Sequence, residues 1–118
     1  MIIDFKNLQP NVVNNMRNGE GSVQLIKYSD DVNSIVRITI KKGSSIGWHI
    51  HEGDQEIIYV ISGKGICIED DKEYELFAGL SNYCAKGKNH SIKNIYDEDL
   101  ELFAVITKLW LKRYLNIY

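Results

Sequence analysis

The chain has 118 residues, of which 44% are hydrophobic and 25% charged, and a net charge of -2. That balance belongs to a folded globular chain and excludes a disordered or fibrous one, and the length suits a single domain spanning residues 1–118. With no cluster of Lys and Arg and a slightly acidic total, there is no electrostatic footprint for nucleic acid or for an anionic membrane surface.

The chain opens on MIIDFKNLQPNVVNN, which lacks the basic segment followed by an apolar run that marks a secretion signal. No later stretch approaches the roughly 20 apolar residues of a spanning helix, so the expected location is the cytoplasm and no membrane contact is expected. Asn14 to Ser22, NNMRNGEGS, reads as a polar, Gly-bearing loop. Strand signals then dominate: Ser22–Tyr28, Ser34–Lys41, Gly47–His51, Glu56–Ser62, Gly65–Asp70, Lys72–Phe77, His90–Tyr96 and Leu100–Thr107. All are short, rich in Ile, Val, Tyr and Thr, and separated by Gly, Asn or Asp. Short strands at this spacing, with no helical pattern between them, predict an all-β sandwich, jelly roll or barrel. The last segment, Thr107 to Tyr118, places Leu111, Tyr114, Leu115 and Tyr118 at i, i+3, i+4 and i+7, the spacing of a short amphipathic C-terminal helix.

Cys67 and Cys84 are the two cysteines. Both fall in apolar strand-like segments and neither belongs to a C-x-x-C pair, so they are expected as free buried thiols in a reducing compartment.

The three histidines carry the chemistry. His49 and His51 lie two apart in a strand-like segment, which puts both rings on one face, about 6.6 Å apart along the strand. Glu52-Gly53-Asp54 is turn material, so the chain can fold back and restart its alternation with a carboxylate facing the imidazoles. Gln55 or Glu56 could face inward, not both; a carboxylate is the better ligand for a divalent cation, which favours Glu56. Ile58 and Val60 then share its inward face and give the cavity an apolar floor. His90 opens a later strand and supplies a fourth donor, leaving coordination positions for water or ligand. Imidazole and carboxylate donors without thiolate admit Mn, Fe, Co, Ni, Cu or Zn.

Gly43 to Gly63, GSSIGWHIHEGDQEIIYVISG, resembles the first cupin motif, G-x5-H-x-H-x3,4-E-x6-G, at every specified position. Gly79 to Asn94, GLSNYCAKGKNHSIKN, resembles the second, G-x5-P-x-G-x2-H-x3-N, with Ala85 in place of proline and Leu80 where many relatives have Asp. The resemblance implies a double-stranded β-helix, or jelly-roll barrel, with one divalent transition metal ion held by His49, His51, Glu56 and His90. It makes Gly43, Gly63, Gly79, Gly87 and Asn94 structural positions. Cupins with this ligand set resemble oxygenases, decarboxylases and isomerases. The expected function is thus metal-dependent catalysis on a small polar molecule, and the alternative is a ligand-binding or sensing module.

Arg17, in the M-R-N-G-E-G loop, resembles an Arg- and Gly-bearing segment that precedes the barrel in some small cupins, and it is a candidate for gripping an anionic ligand. Large apolar side chains at both ends, Ile2, Ile3, Phe5 and Leu8 and then Leu109, Trp110, Leu111, Tyr114, Leu115 and Tyr118, need cover. A two-fold homodimer in which a terminus packs on the neighbouring chain is the expected assembly.

Overall fold

The computed structural model describes residues 1–109. Ten strands follow one another: β1 (Asn11–Asn14), β2 (Ser22–Ser29), β3 (Asn33–Ile40), β4 (Ser45–Ile50), β5 (Asp54–Ser62), β6 (Lys64–Glu69), β7 (Lys72–Phe77), β8 (Ser81–Cys84), β9 (Asn89–Lys93) and β10 (Leu100–Lys108). Two single-turn 3-10 segments, Phe5–Asn7 and Met16–Asn18, precede β2. The strands form two antiparallel sheets, one of six in the order β1-β2-β3-β10-β5-β8 and one of four in the order β4-β9-β6-β7. This is the jelly-roll barrel expected from the strand rhythm.

Period-two alternation decides what lies inside. On β5, Ile58 and Val60 are buried while Ile57, Tyr59 and Ile61 are exposed. On β10, Leu100, Leu102 and Ala104 point inward. They pack with Val23, Leu25, Val36, Ile38 and Ile40 of the same sheet and with Ile46, Cys67, Leu76 and Ile92 of the other, one continuous apolar core. Cys67 and Cys84 are free and buried, as expected.

Four elements differ from the sequence reading, one of them β8 (Ser81–Cys84), which was not among the expected strands. β1 lies in NVVN, too short and too polar at its ends to announce itself, yet all four of its residues pair with β2. The polar loop before β2 contains the 3-10 turn that carries Arg17, with Asn15, Arg17 and Asn18 all at positive φ. At the other end, β10 runs through Thr107 and Lys108, so the segment begins as strand rather than helix. The remainder of the expected C-terminal helix, 110–118, lies outside the described residues.

Candidate metal centre

At one end of the barrel β4 brings His49, the residue just beyond it is His51, β5 brings Glu56, and β9 brings His90. The four side chains converge: each offers a ligand atom, and these atoms all lie within 4.8 Å of one another.

A local irregularity turns the histidines inward. Ile46 pairs with Ile92 and His49 with His90, so three steps along β4 match two along β9. One extra residue in one strand is a β-bulge, and it reverses the alternation. Ile46 is buried before the bulge; continued alternation would have buried Trp48 and Ile50, which are instead exposed. His51 is buried, as are Glu56 and His90. Gly47 occupies the bulge, where a Cβ would fall on the backbone oxygen of Arg17, and Gly19 meets the same strand from the opposite side. The loop bearing Arg17 is thereby seated directly on β4.

Each imidazole is tied off at Nδ1. His49 Nδ1 donates to the Gly47 carbonyl (2.7 Å), His51 Nδ1 to Asp54 Oδ1 (2.6 Å) and His90 Nδ1 to Asn82 Oδ1 (2.8 Å). The Asn82 amide is fixed in turn, because its Nδ2 donates to Glu69 Oε2 at 3.1 Å. With the proton on Nδ1, a neutral ring presents its lone pair at Nε2. The Nε2 atoms face one another, 3.2 Å between His51 and His90 and 3.1 Å between His90 and His49. Glu56 Oε1 stands 2.9 Å from His90 Nε2 and 3.2 Å from His51 Nε2.

That spacing suits a cation. Donors about 2.1 Å from an ion lie about 3.0 Å apart at adjacent corners of an octahedron and about 3.4 Å apart in a tetrahedron. Lone pairs and a carboxylate crowded to 2.9–3.2 Å in a buried site repel unless a positive charge sits among them. In the metal-free chain protons do part of that work. Burial alone would raise the Glu56 carboxyl, but hydrogen bonds and charge from His51 and His90 override it and hold the group at about 2. The bond to Glu56, reinforced by Asp54 against the effect of burial, raises His51. Burial lowers His49, outweighing its bond to the Gly47 carbonyl.

A cavity of about 180 Å³ adjoins the cluster. Its wall includes Ile58, as the alternation on β5 predicts, and Arg17 reaches its rim beside His49. Val60 does not fit the expectation: it is fully buried in the core and is not part of the cavity wall. Two steps further along β5, it sits among Leu102 and other packed side chains. Gln55 is on the opposite face from Glu56 and accepts from the Tyr83 hydroxyl at 3.0 Å. Burial pushes the Cys84 thiol up to about 11 and Cys67 up to about 12, so both stay protonated at neutral pH and neither is a poised nucleophile.

Sequence reasoning missed Asp54 and Asn82, which orient His51 and His90. Asp54 was legible in principle, three residues after His51 across a turn. Asn82 was not, because its role depends on β8 pairing beside β5.

The chain is similar to known proteins. A family model described as a cupin domain matches residues 36–106. A protein of Thermotoga maritima named "Oxalate-binding protein" is 32% identical over 115 residues, covering 92% of this chain and 95% of its own. A crystal structure from Thermotoga maritima, described as a predicted oxalate decarboxylase, superposes with a TM-score of 0.86 at 32% identity, over 92% of this chain and all of that one. An RmlC-like cupin from Shewanella frigidimarina gives a TM-score of 0.76 at 15% identity, over 95% and 94% of the two chains, which is likeness of fold. Motif, barrel and cluster agree with these matches, and the chain belongs to the cupin domain family.

Proposed function

We propose that the whole chain acts as one cupin domain that holds a single divalent transition metal through His49, His51, Glu56 and His90 and uses it to bind and transform a small carboxylate. The observation that carries this is the set of three Nε2 atoms and one carboxylate oxygen, with His90 Nε2 2.9–3.2 Å from the other three and each ring fixed by its own Nδ1 partner. When bound, such an ion supplies Lewis acidity toward carboxylate or enolate oxygens and, as iron, oxygen chemistry. The chain's own groups do the rest. Asp54, Asn82 and the Gly47 carbonyl hold the ligand rings; Ile58 and its neighbours exclude water; Arg17 faces the ligand's negative charge beside His49. The names of the Thermotoga maritima relatives support a small carboxylate as the ligand class, and the reaction types in view are decarboxylase, oxygenase or isomerase.

Binding without turnover is the second reading. In its favour, Glu56 is the one carboxylate among the described residues of the cavity wall, and as a metal ligand it is not free to act as a general acid. Titration calorimetry with oxalate, joined to assays for carbon dioxide release and oxygen uptake, separates the two. One ion per chain and oxalate binding that disappears on chelation are expected, with Arg17→Ala weakening it about tenfold. Full oxalate affinity in the metal-free protein overturns both readings; binding with no turnover leaves the sensing module.

We also infer a homodimer through the outer face of the six-stranded sheet. One row of cross-strand partners there reads Tyr83, Ile57, Val105, Ile35 and Tyr28, and the next includes Tyr59 and Phe103. Ile57, Tyr59 and Tyr83 are 46%, 47% and 58% exposed, an apolar patch of the kind that marks an interface. The N-terminal segment folds back on its own barrel, Phe5 resting edge-on against Phe103 with ring centroids 6.0 Å apart, rather than reaching a neighbouring chain as the sequence reading expected of a terminus. Light scattering is expected to give a dimer for the intact chain and a monomer for Ile57→Lys/Tyr59→Lys. A monomeric intact chain at micromolar concentration ends this assignment.

A further inference from the structure

The inward face of β2 breaks its own pattern. Val23 and Leu25 are buried in the core, and the next residue of that parity is not apolar but Lys27, which is exposed to solvent and borders the cavity. Among the described residues Lys27 makes no ion pair. Asp30, in the nearby hairpin, is committed to that turn: it accepts from the backbone N–H groups of Val32 and Asn33 and from the Tyr28 hydroxyl. A solvent-exposed cation therefore stands at the edge of a cavity whose described carboxylate, Glu56, belongs to the metal cluster.

Strand register locates Lys27 relative to that cluster. Lys27, Val36, Ala104 and Ile58 form one row across β2, β3, β10 and β5. The next row runs Ser29, Ser34, Ile106 and Glu56, with the two serine hydroxyls 2.9 Å apart. Three strand spacings, about 14 Å around the curved wall, thus separate the cationic end from the metal end. Between them the wall is apolar, formed by Leu25, Val36, Ile58 and Ile106. Ser34 also lines the cavity and places a hydroxyl beside Lys27's strand.

We propose that Lys27 and Ser34 form a second, anion-binding subsite, and that the ligand is a dianion with a metal-chelating end and a distal carboxylate joined by a short apolar chain. The inference rests on the metal-centre reading above and extends it. Both carboxylates of oxalate fit at one ion and leave Lys27 unused, so the subsite selects a longer molecule than oxalate. With a divalent ion, Arg17 and Lys27 against Glu56 alone, the cavity stays net positive and favours the second negative charge.

Three hydroxy acids share one chelating end: lactate carries no distal carboxylate, malate and 2-hydroxyglutarate do. On the metal-loaded full chain, titration calorimetry is expected to show one or both dianions binding at least about tenfold tighter than lactate. Lys27→Met should reduce that ratio to about one and Lys27→Arg should retain a preference, with circular dichroism confirming that each variant folds. Metal content is measured on the same samples. Equal affinity for all three acids, a preference that persists in Lys27→Met, or a loaded chain that binds none of them overturns the subsite alone. A chain that takes up no metal overturns the subsite and the metal-centre reading together.

Discussion

Replacing His90 by alanine is expected to lower divalent-ion affinity by more than about 100-fold, beyond the 10–100-fold range typical of groups that only orient a ligand. His90 is the hub of the cluster: its Nε2 is 2.9 Å from Glu56 Oε1, 3.1 Å from His49 Nε2 and 3.2 Å from His51 Nε2. Its loss removes one donor, leaves the buried Asn82 Oδ1 without its donor and leaves Glu56 with His51 alone. Asn82→Ala removes only the acceptor at Nδ1 and belongs within the 10–100-fold range. Both are read by competition with a chromophoric chelator. A His90→Ala chain that folds and keeps wild-type affinity would remove the cluster from consideration as a metal site.

Acid should release the ion. Protons and the ion compete for the same Nε2 lone pairs, so affinity falls as pH falls. In the metal-free chain the bond to Glu56 raises His51 above 6.5 and burial lowers His49 below it, so of these two rings His51 holds a proton to the higher pH. Glu56 remains ionised down to about 2 and adds nothing to the slope in that window. For the metal-free chain the carboxyl gives the opposite end of the scale. Its folded value lies below the ordinary 4.5, so the stability it contributes is present above 4.5 and is lost as pH falls from there toward 2.

Much of this was legible in the residues. The His49-His51 pair, the turn before Glu56 and the isolated His90 define a donor set by composition and spacing, and three histidines in one chain leave few other arrangements. Burial along β5 followed from alternation as far as Ile58. Val60 was placed on the correct face but at the wrong depth, because parity says which side a residue faces and not where a cavity ends. Lys27 stayed hidden for a related reason: in SVQLIKY a lysine after Leu25 reads as the solvated end of a strand, which it is, and only the register across four strands shows that it also borders the cavity, three strands from Glu56 in the same sheet. Asn82 acts through a partner fixed by tertiary pairing, which no local pattern reports, whereas Asp54, three residues from His51, was within local reach.

The bulge at Gly47 was the least legible feature and governs the site. In SIGWHI, simple alternation buries Ile46, Trp48 and Ile50 and turns both histidines to solvent; the structure does the reverse from His49 onward. Gly47 permits it by admitting the Arg17 backbone oxygen into the space a Cβ would fill, and its carbonyl accepts from His49 Nδ1. Gly47→Ala is therefore expected to push the Arg17 loop off β4, destabilise the chain by about 1–3 kcal/mol through overpacking, and weaken metal binding about 10–100-fold through the misplaced His49. Gly53→Ala is the matched control. Gly53 lies in the same motif, between His51 and Glu56, but a Cβ there meets nothing within 4 Å, so stability should change by less than about 0.5 kcal/mol. Chemical denaturation and chelator competition on the two variants make the comparison. If Gly47→Ala behaves like Gly53→Ala in both, close approach at Gly47 is not what turns the histidines inward.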